Sequence, residues 1–123
     1  MYRFILIDST GDAFVNMIPA LAADNRVSFC QADSGLAAFQ IVSDGTCDLV
    51  LAAEQLLDMT GIEFAHRLVG QNPFVNCALV SSMTDADFHD ASEGLGILAK
   101  LPPAPDAYHA AELIRKLESI LMP

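Results

Sequence analysis

Short, continuous apolar runs alternate with longer amphipathic stretches from one end of this chain to the other, and this alternation restricts its fold more than any other feature. Tyr2 to Ile7 is the first strand-like run. Arg26–Cys30, Asp48–Ala53, Asn76–Val80 and a short run Ile97–Ala99 follow it. Between them lie stretches with helical spacing of apolar residues. The first, about Ala13 to Ala23, repeats Phe14, Met17, Ile18 and Leu21 at intervals of three and four; Asp12 can cap it and Pro19 should kink it. Asp33-Ser34 caps the second, whose apolar face is Leu36, Phe39, Ile41 and Val42, and Asp44-Gly45 stops it. The third runs from Ile62 to Val69 and ends at Gly70, and the fourth spans Asp85–Glu93. Asp106 caps the last, with an inward stripe of Ala110, Leu113, Ile114, Leu117 and Leu121.

Strands alternating with helices predict an α/β fold with a parallel sheet and right-handed crossovers. Within the run Asp48–Ala53 every residue after Asp48 is apolar, as in a central strand covered on both faces. No linker, repeat or low-complexity segment interrupts the pattern. The expectation is one (βα)5 domain over residues 1–123, doubly wound and flavodoxin-like, with strand order 2-1-3-4-5.

Composition narrows the function. The chain carries 16 acidic residues against 6 Lys plus Arg, a formal charge of −10. Nucleic-acid phosphates require a basic footprint, which the chain lacks, and anionic membrane surfaces are disfavoured for the same reason. No apolar run approaches the ~20 residues that span a bilayer, and the opening Met1-Tyr2-Arg3 leads straight into a strand, so a cytoplasmic protein is expected. Cys30, Cys47 and Cys77 form no metal-ligand spacing and read as free thiols behaving as small hydrophobes. His66, His89 and His109 fall on different helices and read as surface or boundary residues.

In open α/β sheets chemistry sits at the C-terminal ends of strands. In this chain those ends read Asp8-Ser9, Ala53, Ser81-Ser82 and Lys100-Leu101-Pro102, and Gly61 closes the loop after Ala53. In that order the residues resemble the response-regulator receiver (CheY-like) family, with the resemblance covering nearly the whole chain. It implies that Asp8-Ser9 stands for an acidic pair that holds a divalent metal, and that Ala53 stands for the aspartate that accepts a phosphoryl group. Ser81 matches the family's Thr or Ser, and Lys100 its lysine, although the usual Lys-Pro has become Lys100-Leu101-Pro102. Ile97 occupies the place of an aromatic relay residue, and the fourth helix with its loop is short.

The departures imply a degenerate member that is not an enzyme. Mg²⁺ needs hard oxygen ligands, usually with carboxylates among them, and Asp8 alone is a weak residual candidate. A methyl group at position 53 cannot accept phosphate. No cofactor is expected. Lys100 is expected to turn to Asp8 across the emptied pocket. The resemblance implies a pseudo-receiver in a two-component-type pathway, binding a protein partner without phosphorylation, with a homodimer through the same face as one assembly. By analogy its contact surface is the fourth helix, fifth strand and fifth helix, with Phe88, Ile97, Leu101 and Pro102 as apolar contacts; Phe88 reads equally well as core. Two alternatives remain open: a receiver still switched by phosphate or metal through Asp8 or Glu54, and a sensor holding a small ligand in the emptied pocket. Asp58 reads as a turn residue and Glu54 as an exposed loop residue.

Overall fold

The computed structural model describes residues 1–121. Strands β1 (Tyr2–Ile7), β2 (Val27–Ala32), β3 (Leu49–Ala52), β4 (Asn76–Val80) and β5 (Ala99–Leu101) form one five-stranded sheet in the order β2-β1-β3-β4-β5. Every pairing is parallel. Helices α1 (Ile18–Ala23), α2 (Gly35–Val42), α3 (Gly61–Gln71), α4 (Asp85–Ala91) and α5 (Ala107–Leu121) make the crossovers. The expected fold class and strand order are therefore the observed ones.

Side chains of a strand alternate between its two faces, and this alternation splits the core. Phe4, Leu6, Leu49, Leu51, Ala78, Val80 and Leu101 pack with α1 and α5. Ile5, Ile7, Val50, Ala52, Cys77 and Leu79 pack on the other face with α2, α3 and α4. Phe4–Ile7 of β1, all of β3 and Cys77–Val80 of β4 are covered on both faces, which is why those stretches are apolar without interruption.

The elements differ from expectation at identifiable places. The helix expected from Ala13 starts only at Ile18, and residues 13–17 are a run of turns. Proline has no N–H to donate to a preceding carbonyl, so Pro19 lies in the first turn of α1 and opens the helix instead of kinking one already formed. Asp12 accordingly is not the cap of α1; the N-cap position belongs to Met17, which makes no side-chain cap bond. Helix α3 begins at Gly61 and runs through Gly70. Thr60 and Glu63 form a reciprocal capping box at its start. β5 lies two residues later than the run Ile97–Ala99 suggested. Leu36 and Leu121 are exposed and belong to no apolar stripe.

Candidate functional site

Asp8, Ala53, Ser81 and the end of β5 lie along the C-terminal edge of the sheet. Asp8 leaves β1 on the same face as Leu6, still bonded to β2 through its N–H to Ala32 O (3.0 Å). Its carboxylate is engaged by the loop that follows. Oδ2 accepts from Ala13 N at 2.7 Å, and Oδ1 accepts from Thr10 N at 3.2 Å and from Thr10 Oγ1 at 3.3 Å. Asp8 thus holds the β1–α1 connection in place, the role that sequence reasoning gave to Asp12. Ser9 beside it is exposed.

Ala53 is 5% exposed and continues the β3 ladder through its N–H to Ile7 O (2.9 Å). Its carbonyl is where Gly61 approaches: a Cβ built on Gly61 would lie 2.4 Å from Ala53 O. Only a residue without a side chain fits there, and its N–H donates to Glu54 O at 3.0 Å. Ser81 is buried, accepts at Oγ from Met83 N (3.1 Å), and ties β4 to β5 through its N–H to Leu101 O (3.0 Å).

Lys100 does not meet Asp8. It pairs with Leu79 in the β4–β5 register and so lies on the α2–α3–α4 face, where Nζ bonds Asp85 Oδ1 at 3.0 Å. The residue on Asp8's face is Leu101, packed with Leu6 and Phe14. In a strand, one residue of offset exchanges the faces. The pocket side of β5 therefore presents Leu101, an isobutyl group where the resemblance led one to expect an ammonium. Leu101 (3% exposed) and Phe88 (7%) are buried, Phe88 with one edge lining the groove beside α4; of the expected surface residues, Pro102 is exposed and Ile97 half-buried.

Sequence reasoning missed two carboxylate contacts. Because β3 ends at Ala52, Glu54 is free to turn toward the β4–α4 connection, and its Oε2 accepts from both Ser82 N and Ser82 Oγ at 2.8 Å. Asp58 is more than a turn residue. Oδ1 accepts from Gly35 N (2.7 Å) and Oδ2 from Leu36 N (3.1 Å), capping α2 from a distant loop. These bonds to its charged form, that from Gly35 foremost, hold its carboxyl below the usual range. Thr60-x-x-Glu63 was a legible capping signal; nothing local marks Glu54 or Asp58.

The residues present do not fit a divalent cation. Asp8 already accepts backbone N–H groups at both carboxylate oxygens, Ala53 offers no side-chain oxygen, and among the described residues no three His, Cys, Asp or Glu gather as a ligand set. Among the described residues, no helix is long and apolar enough to cross a membrane.

No protein-family model and no curated protein matches the sequence. Solved structures do match the shape. A two-component response regulator from Clostridium difficile superposes with a TM-score of 0.83 at 11% identity, covering 100% of both chains. The signal receiver domain of an HD domain-containing protein from Pseudomonas fluorescens Pf-5 gives 0.82 at 20% identity, covering 97% of this chain and 88% of that one. A response regulator receiver domain protein from Clostridium thermocellum gives 0.81 at 15% identity, over 99% and 100%. Sheet order, crossovers and superposition agree: this chain has the fold of response-regulator receiver domains.

Proposed function

We propose that this protein is a pseudo-receiver: a cytoplasmic binding module of a two-component-type pathway that engages a protein partner without being phosphorylated and catalyses no reaction. The observation that carries the reading is the side-chain set at the C-terminal edge of the sheet. Ala53 has no nucleophilic atom, Leu101 replaces a cation with a packed isobutyl group, and Asp8 is committed to backbone N–H groups. Phosphoryl transfer relies on a metal and positioned cations to neutralise developing charge, and this edge offers neither.

A second set of contacts supports the same reading. Glu54 holds Ser82, and three residues later Asp85 at the start of α4 holds Lys100 on β5. The Glu54–Ser82 bonds tie the connections after β3 and β4 together without an added phosphoryl group, while the solvent-exposed Asp85–Lys100 pair adds little. The partner face is the groove between α4, β5 and α5. The chain's two lysines, Lys100 and Lys116, line a space of about 510 Å³ there, floored by half-buried Ile97 and Leu98. Pairing with a second copy through this face is the simplest assembly.

Incubation with acetyl phosphate and Mg²⁺, followed by intact-mass measurement, tests the proposal. The expected result is an unmodified mass. A stoichiometric phosphoryl adduct, on Asp8, Glu54 or any other residue, would overturn it.

A further inference from the structure

Between the connection after β3 and the connection after β4 lies a cavity of about 200 Å³, lined by Glu54, Thr60, Ile62, Val80, Ser81 and Met83. We propose that this cavity is a binding site for a small aliphatic ammonium compound, with its cationic head at Glu54 and its hydrocarbon body against Ile62, Val80 and Met83. The inference concerns a ligand and goes beyond the partner-binding reading.

Three observations converge on that class. The wall is mainly hydrocarbon, as ligand sites generally are, but the volume lies below that of drug-sized pockets, so the occupant is small. At the rim, Glu54 uses Oε2 for Ser82 and leaves Oε1 without a hydrogen bond among the described residues. An ionised carboxylate is an acceptor only, so the head group it takes is a donor, and a positive one is preferred. The formal charge of −10 draws cations toward the chain and repels anions.

The test titrates the full chain with n-butylammonium, n-butanol and butyrate at constant ionic strength, following backbone amides by nitrogen–proton correlation NMR. n-Butylammonium is expected to shift the amides of Glu54, Ser82 and Met83 saturably, with a dissociation constant in the millimolar range suited to so few atoms. Butyrate should not bind, and n-butanol should bind more weakly. Glu54→Gln keeps an oxygen for Ser82 while removing the charge. It should weaken the ammonium compound roughly fivefold, the scale of one exposed charge contact, and leave the remaining amide positions unchanged. Absence of saturable shifts, equal binding of n-butanol or butyrate, or unchanged affinity in Glu54→Gln would each overturn the assignment.

Discussion

Helix α3 contains two glycines for which the structure dictates opposite responses to the same substitution. Gly61, its first residue, is buried against the end of β3. An added Cβ would lie 2.4 Å from Ala53 O and 3.7 Å from Ala52 Cβ. The obstacle at 2.4 Å is backbone of a central strand, which no rotamer change can clear. Forcing extra atoms into a packed site costs about 1–3 kcal/mol. The shift would also strain the Gly61 N–H bond to Glu54 O, worth about 1 kcal/mol. The helix-propensity gain of alanine, at most about 1 kcal/mol, offsets only part of this. Gly61→Ala is therefore expected to lose about 1–3 kcal/mol. With an unfolding entropy of about 2.1 cal/mol/K per residue over 123 residues, each kcal/mol moves Tm by about 4 °C, so the expected fall is about 4–12 °C. Gly70, near the far end of the same helix, is exposed and has nothing within 4 Å of an added Cβ. Gly70→Ala should gain about 0.5–1 kcal/mol through helix propensity alone. Thermal and urea unfolding of both variants beside the parent measures the difference. A Gly61→Ala protein as stable as the parent would refute the close approach that shapes this edge.

Asp58 has its folded pKa below its ordinary value of 3.8, so its contribution is fully present above the unfolded value and is lost as pH falls through the folded one. Asp58→Asn should therefore flatten the loss of stability below about pH 4 in acid titrations of unfolding; an unchanged slope would contradict the α2 cap. Asp8→Ala removes acceptors from Ala13 N and Thr10 N and should cost about 1 kcal/mol in urea unfolding, with Asp8→Asn costing less because one carbonyl oxygen remains. Lys100→Met should cost no more than about 1 kcal/mol, because its partner Asp85 is 97% exposed and such surface pairs contribute little. Leu101→Ala, one residue on, should cost about 2–5 kcal/mol as a core truncation. Alkylation with iodoacetamide should modify exposed Cys30 in the folded protein and spare Cys77, whose thiol burial pushes up to about 12, until the chain unfolds.

The strand and helix alternation was legible because burial on both faces keeps Phe4–Ile7, Leu49–Ala52 and Cys77–Val80 apolar, and because Ser34 caps the helix that follows it. Parity at β5 was not legible. Ile97-Leu98-Ala99-Lys100-Leu101 is apolar on both sides of the lysine, and Gly94 and Gly96, both at positive φ, set the strand's entry in a way the pattern does not encode. The β4–β5 register, with Leu79 opposite Lys100 and Val80 opposite Leu101, decides that Leu101 and not Lys100 faces Asp8. Pro19 was misjudged for a related reason: a proline at the start of a helix and one in its middle look alike until the first N–H bonds are located. Glu54 and Asp58 could not be read at all, because their partners lie 28 and 23 residues away in sequence.

We propose that the C-terminal edge of this sheet takes neither a metal nor a phosphoryl group. Amide spectra recorded with and without Mg²⁺ and beryllofluoride test it at the atoms concerned. The account predicts that the amides of Asp8, Ser9, Ala53, Ser81 and Leu101 stay where they are. Saturable, coupled shifts at those residues would contradict it.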